Sequence, residues 1–138
     1  MITKMFSVAD YAELLAMQRV FREAKFCGEP DDEEVAASPI VAGLFRRLME
    51  ALIAADIERY GTRGKQRWDE WLTIDASRQE WCAALARAKK QSGWKNWNDA
   101  ARASYVADLL APFIVSDDRL REFLVAVSSD EPELSPEA

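Results

Sequence analysis

Between Ser38 and Gly61 the chain repeats apolar residues at helical spacing. Val41, Leu44, Phe45, Leu48, Met49, Leu52 and Ile53 cover roughly half of a helix circumference, and Arg46, Arg47, Glu50 and Glu58 gather on the other side. Ser38 can cap the first turn with its hydroxyl, Pro39 suits the first helical position, and Gly61 can take the left-handed conformation that closes a helix. An apolar stripe that wide meets neighbours on more than one flank. The pattern therefore predicts a helix over Pro39–Tyr60 at the centre of a bundle.

The flanking segments repeat the theme. Ser7 with Asp10 three residues on opens a predicted first helix, along which Val8, Tyr11, Leu14, Leu15, Met17, Phe21 and Ala24 recur at three and four before Gly28. Glu29 to Ser38 reads as a hinge with a short acidic helical turn, held apart from the central helix by Pro39. After Gly61 the pattern predicts a basic loop, T-R-G-K, then a brief helix over Lys65–Leu72. Next comes a helix over Ala76–Gln91, capped by Thr73 or Asp75, with Trp81, Cys82, Ala84, Leu85 and Ala88 inward. Asn96 and Asp99 announce a helix over Trp97–Ala111, Pro112 breaks the chain, and Ser116 opens a last helix with Asp117 and Asp118 in its first turn.

No useful run alternates with period two. The expected fold is all-α: a compact bundle of five to six helices around the central one, as a single domain over residues 1–129. Residues 130–138 hold two prolines and four acids and are expected to stay disordered. The 138 residues, 49% apolar and 30% charged, suffice for one core without staples. No apolar run is long enough to span a bilayer and the N-terminus lacks the order of a signal peptide, so the expected location is the cytoplasm. Cys27 and Cys82, with no C-x-x-C, read as reduced core residues.

Charge and missing residue types narrow the chemistry. The chain has no histidine, which removes the imidazole base and the common zinc ligand sets, and no catalytic motif stands in for them. R-Y-G-T-R-G-K is not a phosphate-binding P-loop, and D-D-E-E lacks the order of a calcium loop. No enzyme activity, cofactor or metal is expected. The net charge of −6 is uneven: residues 29–34 carry −5 and the last nine carry −4, so the helical body is slightly basic.

All five tryptophans fall between Trp68 and Trp97, and residues 59–97 carry nine basic groups against four acids. Two readings follow. In the preferred one, the protein is a non-enzymatic protein-binding module. Its anchors would be Trp94, Lys95, Trp97, Trp68 and Arg67, with Asp31, Asp32, Glu33 and Glu34 engaging a basic partner. In the other, it is a small helical subunit of a nucleoprotein complex. The basic stretch 59–97 would then contact phosphates through Arg63, Lys65, Arg87, Lys89 and Lys90. Trp71 and Trp81 read as core; Trp94 and Trp97 flank a Gly/Asn-rich connection, where an exposed indole would serve as an anchor.

In size, composition and helical order the chain resembles small helical anti-CRISPR inhibitors, among the proteins by which phages and mobile elements block host defence. Immunity proteins to toxins share the same look. The resemblance implies an inhibitor that occupies a partner's working surface, and it transfers no residues.

Overall fold

The computed structural model describes residues 6–26 and 33–129. The helices are α1 (Tyr11–Phe26), α2 (Glu33–Ala36), α3 (Pro39–Tyr60), α4 (Thr62–Leu72), α5 (Gln79–Lys89), α6 (Asp99–Leu110) and α7 (Asp117–Ser128), with a 3-10 turn at Trp94–Asn96. Apart from α2, a single turn of four residues, each helix is 11 residues or longer. Among the described residues there is no strand, only an isolated bridge between Thr73 and Ile114. The expected all-α bundle is what the chain forms. Cys27, Asp31, Asp32 and the tail 130–138 lie outside the described residues.

Helix α3 begins as its caps dictate. The Ser38 hydroxyl accepts from the amides of Ile40 (3.0 Å) and Val41 (3.2 Å), ahead of Pro39. The helix packs against α1, α2, α4 and α6, which makes it the hub. Its buried side is Ala42, Phe45, Leu48, Met49, Leu52 and Asp56. Two details depart from the pattern. Leu44, expected inside, is 41% exposed, because the contacting helices all approach from the Phe45–Leu52 side. Asp56, a carboxylate, occupies the core side where the pattern expects an apolar group.

Boundaries shift elsewhere for local reasons. Asp10, not Ser7, starts α1: its carboxylate accepts from the Glu13 amide at 3.3 Å and its carbonyl from Leu14 at 2.9 Å. The T-R-G-K segment is no loop but the first turn of α4, because Gly61, at φ 67°, reverses the chain in a single residue. Asp75 and Ser77 form a turn, delaying α5 to Gln79, and Asn98 rather than Asn96 caps α6. Cys82, expected inside, is an exposed free thiol. It falls between the buried Trp81 and the half-buried Ala83, on the outer side of α5.

The second half is pinned to the first by aromatic and polar contacts. Phe26 meets Phe113 across the halves at 5.6 Å, while within the second half Trp81 meets Phe123 edge-on at 5.0 Å. Lys25, 3% exposed, donates to the Asp108 carbonyl at 2.7 Å, and Arg46 donates to the Ala107 carbonyl at 3.0 Å. Both cations sit at the C-terminal end of α6, where unpaired carbonyls and the helix dipole favour them.

Two consequences can be measured. A Cβ at Gly64 would meet the Asp56 carbonyl oxygen at 2.7 Å, a backbone atom that cannot swing aside. Gly64→Ala should therefore cost about 1–3 kcal/mol in urea unfolding, despite alanine's better helix propensity.

Burial lowers the Lys25 pKa from 10.5 to about 7, against the pull of Asp108. The folded chain thus sheds this proton near pH 7, while the unfolded chain keeps it to about 10.5. Between those values the unfolded state binds more protons, so stability rises with pH. Wild type should gain roughly 1–3 kcal/mol between pH 7 and about 9.5, and Lys25→Met should flatten that rise.

Candidate functional site

A concave feature forms where α1, α3 and α4 meet. Tyr11, Gln18, Arg19 and Arg22 recur at helical spacing along one side of α1; Asp56 comes from α3, and Arg67, Trp68 and Trp71 come from α4. Together they line a cleft of about 400 Å³, within the range of ligand-sized pockets. The tight Gly61 reversal and the bare α-carbon of Gly64 bring α4 close enough to α3 for this wall to form.

Asp56 is the centre of the arrangement. It is 2% exposed, and its Oδ2 accepts from the Trp68 indole N–H. Its Oδ1 is buried with no donor in hydrogen-bonding geometry. An ionised oxygen left that way is costly, because it has lost water without a replacement. The Tyr11 hydroxyl faces the same carboxylate. Attraction of its proton to Asp56, with desolvation and the negative charge there, raises its pKa above the usual phenol value.

The indoles and arginines around it are held to different degrees. Trp68 and Trp71 meet edge-on at 5.4 Å, and Trp71 packs on Phe113 at 4.8 Å. Arg78 donates to the Trp71 carbonyl at 2.7 Å and lies over the Trp71 ring, fixing it from behind. Arg22 and Arg78 both reach the buried Glu80, each at 3.3 Å. Arg67 stacks on Tyr60 at 5.2 Å, and Arg19 has no ion-pair partner among the described residues. The cleft therefore offers an aromatic wall, one unmet acceptor and guanidinium groups free to take acceptors from outside.

A second, basic groove lies at the far end of α5. Lys89, Lys90, Lys95 and Arg102 border it beside Trp94, and its described lining contains no carboxylate. Its volume is about 580 Å³. Arg102 is committed internally, donating to the carbonyls of Trp94 (2.9 Å) and Lys95 (3.2 Å) while covering the Trp94 ring.

The residues expected from sequence are thus distributed over separate places. Arg67 and Trp68 reach the cleft, whereas Lys89, Lys90 and Lys95 reach the basic groove. Arg63 and Lys65 are exposed on α4, and Lys65 pairs with Asp69 at 2.8 Å; Arg87 is half-buried on α5. The basic stretch 59–97 therefore does not fold into one surface. Trp94 is not the exposed anchor expected of it. The 3-10 turn tucks its ring inside at 6% exposure, against Trp97 and Tyr105, with its N–H 3.5 Å from the Ser128 hydroxyl. Trp97 is half-buried and meets Tyr105 edge-on at 5.1 Å. Glu33 and Glu34 open α2; Asp31 and Asp32 are outside the described residues.

Tyr11, Gln18, Arg19, Arg22 and Asp56 are site residues that sequence reasoning missed. For Asp56 a signal existed: it lies four residues past Leu52, in register with the buried side. No helix among the described residues is long and apolar enough to cross a membrane. Comparison with known proteins gives no match, whether to a family model, to a curated relative or to a solved structure. The fold and the site define an all-α helical bundle with an arginine-rimmed aromatic cleft.

The unmet Asp56 oxygen has a measurable signature. Asp56→Asn keeps an acceptor for Trp68, discards the buried charge, and can donate to the Tyr11 hydroxyl. It should raise the stability at pH 7 by about 1–2 kcal/mol, as removal of a buried acceptor without a donor does. Thermal and urea unfolding of the two proteins measure this directly.

Proposed function

We propose that this is a non-enzymatic protein-binding module that uses the α1–α3–α4 cleft to receive its partner. Its role would be that of a small inhibitor aimed at a host or partner protein, of the kind phages and mobile elements direct at host defence. The observation that carries the reading is the composition of the cleft. Its walls are mainly Trp, Tyr and Arg, the residue types that dominate binding energy at protein interfaces. A partner segment with acidic groups for Arg19 and Arg67 matches what the cleft leaves unmet. The basic groove at Lys89, Lys90 and Lys95 favours a second reading, contact with nucleic-acid phosphate.

Retention of host proteins on the immobilised chain separates the two. Wild type should hold a specific protein, and Arg19→Glu with Arg67→Glu should weaken that hold at least about tenfold while the helical circular dichroism stays unchanged. No protein retained, or retention indifferent to both reversals, would sink the cleft assignment. DNA or RNA binding with a steep salt dependence, lost on substitution of Lys89 and Lys90, would install the second reading instead.

A further inference from the structure

Helix α3 has a side that no other described residue covers. Ile40, Leu44, Arg47, Ala51, Ala54 and Glu58 follow one another at three and four along its whole length, and every one of them is exposed. Ile40 is 75% exposed and Leu44 41%, a large apolar outlay for the longest helix of the bundle. The helices α1, α2, α4 and α6 all pack on the other sides. At the middle, Ala51 and Ala54 leave the backbone nearly bare, so a second helix can approach closely.

The charges on this strip are arranged in a particular way. Arg47 lies four residues before Ala51, and Glu58 lies four residues after Ala54. The two opposite charges are therefore equidistant from the midpoint of the alanine pair. Neither has an ion-pair partner among the described residues. A two-fold axis through that midpoint, with a second α3 running antiparallel, sets Arg47 of one copy against Glu58 of the other, twice. It also sets Ala51 against Ala54 and brings Leu44 to Gly61, where open space surrounds the missing side chain.

We infer that the outward side of α3 docks a second copy of this chain, antiparallel, with Arg47 of each copy paired to Glu58 of the other. Asp56 lies on the opposite side of α3 from this strip, so dimerisation leaves both clefts open and facing outward. The assembly is then a bivalent binder, and a partner presenting two sites is held by both clefts at once.

Sedimentation equilibrium of the full chain, from about 1 to 300 µM, tests this. The mass should approach twice the 15.6 kDa of one chain. Arg47→Glu or Glu58→Arg alone places like charges opposite each other, and each should raise the dissociation constant at least about tenfold. The double reversal should restore it. An equimolar mixture of the two single variants should also associate, because each then supplies the charge the other needs. Both sites are exposed, and unchanged circular dichroism confirms that the variants fold. A monomer at every concentration overturns the inference. So does a dimer indifferent to the single reversals, or a mixture of the two variants that fails to associate.

Discussion

The close approach of α4 to α3 governs the rest of the molecule. Gly61 turns the chain through a conformation that only glycine adopts freely, and Gly64 lets the new helix settle against the Asp56 backbone without a side chain between them. That contact sets the depth at which Trp68 enters and delivers its indole N–H to the Asp56 carboxylate. Trp71 follows one turn later and meets Phe113 from the far half of the chain. A short-range backbone constraint is thereby converted into a long-range one.

The two halves are joined mainly through groups that apolar patterning ignores. Lys25 and Arg46 close the C-terminal end of α6, while Glu80 draws Arg22 from α1 and Arg78 from the α5 entrance. The Gln79 side chain adds a bond to the Phe26 carbonyl at 2.7 Å. Buried charges of this sort contribute little net stability beyond an apolar core, but they are strongly directional, and a misplaced helix would leave them unpaired. They select one docking of α1 against α5 and α6 from the many that hydrophobic burial alone would allow.

Against that background Asp56 stands out. Glu80 has two arginines and Lys25 has a carbonyl, whereas one oxygen of Asp56 has no donor. It lies beside Arg19, which has no ion-pair partner among the described residues, and beside the edge-on pair of Trp68 and Trp71. The same helix presents an exposed apolar strip on its reverse. α3 is thus at once the hub of the fold and the element with the most unmet binding capacity, on two opposite sides.

Local chemistry, read from the chain alone, was enough for the helices and their order. Ser38, Pro39 and Gly61 bracket α3, Ser116 caps α7, and period-three-to-four spacing marks the rest, because caps and periodicity act within a few residues. It also drew attention to Arg67 and Trp68, which line the cleft. What it could not decide is which side of a helix finds a partner. Leu44 and Cys82 satisfy the spacing yet face outward, Trp94 sits in a polar connection yet turns inward, and Asp56 joins the core. Those outcomes depend on contacts between residues far apart in the chain, such as Arg22 with Glu80 or Trp71 with Phe113. Only the tertiary structure brings such residues together, and with them the cleft that no single stretch of sequence contains.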